Sequence, residues 1–446
     1  MNNRNKVRHL LLLTLLSTLI CVSFQEKELQ QLSKPKKTPL PNIIVIIADD
    51  MGWDAFGKYP GMNGIKARTP TLDSLSATGI TFTNYWVNPE CSPSRAAMLT
   101  GKYGFRTGIG GVAGNSSPTL NPKETIIQKY INEKKQGTYA TAVIGKWHIS
   151  GNELKAPEGF GVEYFAGFLS GTVPDYYRWT QTSGGKQEPV TTYTTTHFVN
   201  QASSWMKVQT KPFFLWLAFN APHTPFQAPP KELVSTEGLS FYQKSSTSPT
   251  MVQYLSSIEA MDKEIGRLIS SMTTQQRQNT IFLFMGDNGT PARVAQTPFS
   301  SKAAKSSLFQ GGINTPLLVS GAQISRKDII EPALVQATDI FATVAELAGV
   351  TKTDLMDGQS MAPLFNNAEA KKRAFVYSEL FGSSQFGNNG YALRNLNYKF
   401  IHLSSGKEYL YKIGTDPFEK SNLLEKPLDA EGEDNLKILK KIKQQL

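Results

Sequence analysis

Cysteine is nearly missing from this chain, with two residues among 446, Cys21 and Cys91. A disulfide framework is therefore excluded. Long apolar runs are also scarce. Outside the first two dozen residues nothing approaches membrane-spanning length. Internal repeats and low-complexity tracts are absent. A composition of 40% hydrophobic and 19% charged residues carries no signature of disorder. The formal net charge is +11, yet the positive residues form no stripe, so a nucleic-acid partner is set aside. What remains is a basic, globular chain suited to anionic partners. It is long enough for a large domain plus a smaller one.

Residues 1–23 read as a secretory signal. Arg4, Lys6 and Arg8 form the positive start, and the apolar run at 10–20 is too short to span a membrane. Cys21-Val22-Ser23 offers small residues for cleavage after Ser23. Lipidation of Cys21 is the alternative, although Ile20 is bulky for a lipobox. The expected organisation is a signal at 1–23, a polar leader at 24–40, a catalytic domain at 41–365 and a C-terminal subdomain at 366–446. A periplasmic or secreted location follows. Cleavage would leave Cys91 as a lone thiol in an oxidising compartment: a buried, inert residue or one with chemistry to perform.

Short apolar runs at 43–48, 139–144, 213–219, 281–285 and 316–319 read as buried parallel strands. Helical patterns cover 69–78, 93–99, 125–134, 198–206, 251–269 and 339–348. This alternation predicts an α/β fold, a large, mixed, mostly parallel sheet sandwiched by helices. After 365 the pattern changes to antiparallel strands at 374–380, 391–396, 398–403 and 408–413, then a helix rich in Lys and Leu. That is a smaller C-terminal antiparallel α+β domain. Its loop at 381–390 is expected to reach back toward the main site.

In open α/β sheets, ligands bind at the carboxyl ends of strands. Here those ends carry Asp49-Asp50, Gly145-Lys146-Trp147-His148, Asn220-Ala221-Pro222-His223 and Gly286-Asp287-Asn288. Asp49, Asp50 and Asp287 crowded together would repel, and one or more would take up a proton unless they share a cation. With the Asn288 amide they make an all-oxygen set suited to Ca²⁺ or Mg²⁺ rather than zinc. The bland alternative makes both pairs ordinary turn residues. Cys91-Ser92-Pro93-Ser94-Arg95, followed by Leu99-Thr100-Gly101, reads as a helix start with Ser92 able to cap and Pro93 in the first turn. Cys91 at that end would meet a field favouring negative charge. His148 and His223 are either scaffold residues or, beside Lys146, Lys305 and Arg95, part of a cationic pocket. His197 and His402 lack such company and read as structural.

Together these motifs resemble the formylglycine-dependent (type I) sulfatases of the alkaline-phosphatase superfamily. Lys305 through Gly311-Gly312 to Pro316, Asp357-Gly358-Gln359-Ser360 and Tyr409-Leu410-Tyr411 extend the likeness. Two positions depart from the family pattern. Glu90 stands where an uncharged residue is usual, and Gln310 where Glu is usual. The resemblance implies an alkaline-phosphatase-like sheet and a sulfuric ester hydrolase. It also implies conversion of Cys91 to formylglycine (3-oxoalanine) by a formylglycine-generating maturation enzyme. The catalytic set would be Cys91, Arg95, Lys146, His148, His223 and Lys305. The metal set would be Asp49, Asp50, Cys91, Asp287 and Asn288, with Ca²⁺ favoured over Mg²⁺. One hydroxyl of the hydrated aldehyde would attack sulfur, His223 with Lys305 would protonate the leaving oxygen, and His148 would take the proton that ejects sulfate. Its implied substrate is a sulfated saccharide, with Tyr176, Arg178 and Trp179 as binding residues in a loop-like insertion, or else as mere packing. The rivals are a phosphonate or phosphodiester hydrolase of the same superfamily and a catalytically silent glycan-binding relative.

Overall fold

The computed structural model describes residues 39–446 apart from 60–61, 116, 351–356 and 383–387, together with Val7 and His9. The expected signal and leader thus lie outside the described residues, save Val7, His9 and Pro39 to Leu40. Chain contacts divide the molecule into Met1–Pro39 and Leu40–Leu446, and every element below belongs to the second. Among the described residues no helix is long and apolar enough to cross a membrane.

Among the described residues ten strands form one sheet: β1 (Asn42–Ala48), β2 (Gly79–Trp86), β3 (Ala140–Lys146), β4 (Tyr164–Phe168), β5 (Trp179–Ser183), β6 (Lys186–Val190), β7 (Phe213–Ala218), β8 (Thr280–Gly286), β9 (Leu317–Gly321) and β10 (Ile329–Gln336). Their order is β10-β2-β9-β8-β1-β7-β3-β4-β5-β6. The centre is parallel: β1 lies between β8 and β7, and β3 between β7 and β4. Two expectations need correcting. The run at 316–319 forms β9, which pairs antiparallel with both β2 and β8. The insertion after His148 is no loop, because β5 and β6 form a hairpin that extends the sheet antiparallel from β4.

Why the central strands lack alternation is visible in β1. Ile43, Val45 and Ile47 face one apolar layer, while Ile44, Ile46 and Ala48 face the other. Both faces are covered, so every position is apolar, and each fully buried Ile contributes roughly 1.5–3 kcal/mol. The helices that matter are α1 (Pro70–Ala77), α2 (Cys91–Thr100), α3 (Ile127–Lys134), α4 (Thr194–Lys207), α5 (Pro249–Ser271) and α6 (Thr338–Leu347). The inner residues of α2, α3 and α6 pack on the first layer, and those of α1, α4 and α5 on the second.

A second sheet of β11 (Val376–Leu380), β12 (Gly390–Arg394), β13 (Tyr398–Leu403) and β14 (Glu408–Lys412) is antiparallel throughout. The helix α7 (Ala430–Gln445) covers one face, Leu439 packing with Leu393, Phe400 and Leu410.

Candidate active site

Four adjacent strands, β8-β1-β7-β3, end at the same edge, and their C-terminal extensions build the site. Asp49 and Asp50 follow β1, Asp287 and Asn288 follow β8, Lys146 closes β3, and His223 ends a turn after β7. Asp50 and His148 sit at φ 69° and 59°, left-handed backbone that Asp and His enter more readily than most residues. This is how two strand ends bend away from their pleat and turn side chains into one pocket.

Helix α2 starts at Cys91, as expected, but Ser92 does not cap it. The N-cap is Glu90, without a side-chain cap bond. Ser92 Oγ instead donates to the His148 carbonyl at 2.8 Å and accepts from the Ala113 N–H at 3.0 Å. That ties the helix start to the end of β3. Cys91 Sγ then lies 3.1 Å from His148 Nδ1. One turn on, Arg95 is fully buried. Its Nε donates to Asp287 Oδ2 at 2.9 Å, its Nη2 forms an ion pair with the same oxygen at 2.8 Å, and its Nη1 donates to the Lys146 carbonyl at 2.9 Å.

Two lysines face the first two carboxylates. Lys146 Nζ meets Asp49 Oδ2 at 2.6 Å, and Lys305 Nζ meets Asp50 Oδ1 at 2.5 Å. The Asn288 amide donates to that same Oδ1 at 2.7 Å, and the Asp50 N–H donates to Asp287 Oδ1 at 3.2 Å. His223 Nε2 is 3.6 Å from Asp50 Oδ2. All six predicted catalytic residues and all predicted metal ligands therefore meet in one place.

The charge balance is informative. Burial pushes the Asp49 carboxyl up, but Lys146 and His223 outweigh it and hold the group below its ordinary value. Asp50 is held low by His223 and Lys305 against the same burial. Asp287 goes the other way, raised by burial and then by the Asp49 charge despite Arg95. This is the crowding that a shared cation would relieve. Two buried acceptors, Asp49 Oδ1 and Asn288 Oδ1, have no hydrogen-bond partner among the described residues, a costly state unless something else satisfies them. Ligand atoms of Asp49, Asp50 and His223 lie within 4.8 Å of one another. The donor set thus fits a hard divalent cation. His223, expected at this sheet edge as part of a cationic pocket, lies beside the carboxylates themselves.

Burial pushes the Cys91 thiol up to about 11, against the pull of Lys146 and Lys305, so an unmodified thiol is neutral at pH 7 and a weak nucleophile. His148 is driven well below its usual value by burial, then by Lys146 and Arg95. It is a neutral imidazole able to accept a proton.

The side chains at 90 and 310, the two departures from the family pattern, are both buried. Glu90 is buried and accepts from Ser306 Oγ at 2.5 Å, beside Lys305. At 310 the backbone N–H donates to Glu419 at 2.6 Å, and Glu419 pairs with Lys399 at 2.5 Å, while the buried Gln310 Oε1 has no hydrogen-bond partner among the described residues. Of the three expected saccharide residues, Tyr176 is misassigned. It is buried, and its hydroxyl donates to the carbonyls of Asn220 and His223 at 3.0 and 2.6 Å, bracing the His223 turn. Trp179 is buried against Phe168 and Phe198, its Nε1 donating to the Thr192 carbonyl. Arg178 is exposed and lines, with Trp179, a cavity of about 460 Å³. The sequence reading missed Ser92 as a tether and Gly171, whose bare Cα lies against His148.

An anion pocket of two buried cations, Arg95 and Lys146, and the partly buried Lys305 over a carboxylate cluster, at the C-terminal edge of a two-sided mixed sheet, defines an ester hydrolase acting on an oxyanion group. Comparison with known proteins narrows this. The sulfatase family model matches residues 41–350, and one described as N-sulphoglucosamine sulphohydrolase, C-terminal, matches residues 303–446. The chain belongs to the sulfatase family, within the alkaline-phosphatase superfamily, and is a sulfuric ester hydrolase. It is 27% identical to the ulvan-active sulfatase of Formosa agariphila, over 92% of this chain and 81% of that protein. It is 25% identical to the arylsulfatase of Klebsiella aerogenes, over 73% and 90%. The solved structure of Ps i-CgsB in complex with k-i-k-neocarrahexaose superposes with a TM-score of 0.76 at 27% identity, covering 90% of this chain and 92% of that one.

Proposed function

We propose that the protein is an exported sulfatase that removes sulfate from a sulfated carbohydrate. Its nucleophile would be a formylglycine made from Cys91 by a maturation enzyme. Asp49, Asp50, Asp287 and Asn288 would hold the divalent cation, Ca²⁺ or Mg²⁺. The observation that carries the reading is the 3.1 Å approach of Cys91 to His148 inside a shell of Arg95, Lys146 and Lys305. A carbohydrate substrate is supported by one relative named as ulvan-active and by a similar structure solved with a neocarrahexaose. Export rests on residues 1–23.

When present, the hydrated aldehyde supplies the attacking hydroxyl and the cation neutralises the carboxylates and the sulfate oxygens. The chain's own residues do the rest. Arg95, fixed by Asp287 and the Lys146 carbonyl, holds the residue at 91 in place. Lys146 and Lys305 offer charged donors to the non-bridging oxygens in a dry site, where such contacts are strongest. His223, with Lys305 beside it, lies where it can protonate the departing oxygen. His148, kept neutral, takes the proton whose loss restores the carbonyl.

The test is release of inorganic sulfate from a panel of defined sulfated mono- and oligosaccharides by the matured protein. At least one saccharide should be cleaved with a higher kcat/KM than an aryl sulfate. Turnover of aryl sulfates together with inertness toward every saccharide would sink the carbohydrate assignment while leaving the chemistry.

A further inference from the structure

Beside Lys305 lies a cavity of about 600 Å³, within the range, about 300–1,000 Å³, of pockets that enclose small ligands. One wall is the segment carrying Ser301, Lys302 and Lys305, which precedes Phe309. The opposite wall comes from the second sheet, through Leu403 of β13 and Tyr409 of β14. Asn388 closes a third side, its side-chain amide donating to the Ser306 carbonyl at 3.2 Å. The C-terminal sheet, which carries none of the catalytic set, thus contributes two lining residues to a chamber that a catalytic cation also lines.

The lining has a definite chemistry. Phe309 and Tyr409 meet edge to face at 5.3 Å between ring centres, and both are only partly buried. Lys407 holds its ammonium 4.8 Å from the Tyr409 ring centre. No carboxylate lines the cavity among the described residues. Lys305 is already engaged by Asp50, whereas Lys302 is exposed and makes no ion pair among the described residues. An aromatic wall suits the apolar face of a sugar ring. A second, uncommitted ammonium beyond the catalytic one suits a second anion on the same ligand.

We propose that this cavity receives the saccharide on the leaving-group side and that Lys302 pairs with a second anionic substituent of it, a sulfate or a carboxylate. The protein is then selective for multiply anionic glycans over singly sulfated ones. This rests on the carbohydrate reading above and adds to it the charge pattern of the substrate.

Sucrose octasulfate and glucose 6-sulfate serve as probes, binding to the full-length protein being measured by calorimetry alongside hydrolysis of 4-nitrophenyl sulfate. Lys302→Glu should weaken sucrose octasulfate by about tenfold or more at low salt, and more than it weakens glucose 6-sulfate. The difference should shrink as salt rises. Tyr409→Ala should weaken both saccharides. Lys207→Glu, a charge reversal on α4 at a cavity not lined by Lys305, should leave both affinities and the hydrolysis unchanged. Equal affinities of wild type and Lys302→Glu for sucrose octasulfate would overturn the proposal, as would a loss matched by Lys207→Glu. Failure to hydrolyse 4-nitrophenyl sulfate after maturation would instead count against the sulfatase mechanism, since the binding measurement does not depend on turnover.

Discussion

Replacing Gly171 by alanine perturbs the site through one atom. The new Cβ would stand 2.6 Å from His148 Nε2 and 2.7 Å from Cε1, where ordinary contact begins at 3.4 Å, so the ring must retreat by about 0.8 Å. It has little room. The His148 N–H donates to the Leu169 carbonyl at 3.1 Å, its own carbonyl is held by Ser92, and its Nδ1 already lies 3.1 Å from Cys91 Sγ. Misplacing a reacting group by 1 Å can cost about 10²-fold, so kcat should fall roughly 10–100-fold. Overpacking of this kind costs about 1–3 kcal/mol, well inside a stability of about 5–15 kcal/mol, and the variant should remain folded. Steady-state kinetics on an aryl sulfate and a melting curve read the two effects separately. Gly159→Ala is the control, since nothing lies within 4 Å of its Cβ. In a His148→Ala background, Gly171→Ala should add almost nothing. A folded Gly171→Ala enzyme with wild-type kcat would refute the assignment of His148 as proton acceptor.

Removing the cation with a strong chelator should abolish turnover and lower the melting temperature. Ca²⁺ or Mg²⁺ should restore both, with about 2.7 kcal/mol of stabilisation at a hundredfold excess over Kd. Asp49→Ala should lose that thermal response; if it keeps the full shift, the carboxylate cluster is not the site. His223→Ala should slow substrates with alkyl leaving groups by roughly 10²–10⁴-fold and activated aryl sulfates far less. Equal losses on both would make His223 a positioning residue.

The sheet was readable where burial on both faces writes a continuous apolar run, as in β1, β7 and β8, but its direction was not. The run that became β9 looks like its neighbours, because strand polarity is set by long-range pairing with β2 and β8. The hairpin β5–β6 was hidden for a different reason: three of the four leading positions of β6, Lys186, Gln187 and Glu188, are charged or polar and exposed at the sheet's edge. In the site, motif residues after strand ends converged as expected. Tyr176 misled because an aromatic residue in an insertion looks the same in sequence whether it faces solvent or braces the His223 turn. Gly171 left no signal at all, since its contribution is the absence of a side chain. The expectation that 381–390 reaches toward the main site finds a counterpart in Asn388, which bonds to Ser306; residues 383–387 lie outside the described ones.

The central claim is that Cys91 becomes the nucleophile. The most direct measurement compares the tryptic peptide spanning 69–95 with sulfate release, in protein made with and without a formylglycine-generating enzyme. Conversion should remove the thiol, give an aldehyde at position 91 that is captured by a hydrazide, and raise activity in proportion to the converted fraction. Cys91→Ala should be folded and inactive. Full sulfate-ester turnover by Cys91→Ala, or by protein whose thiol is intact, would contradict the account.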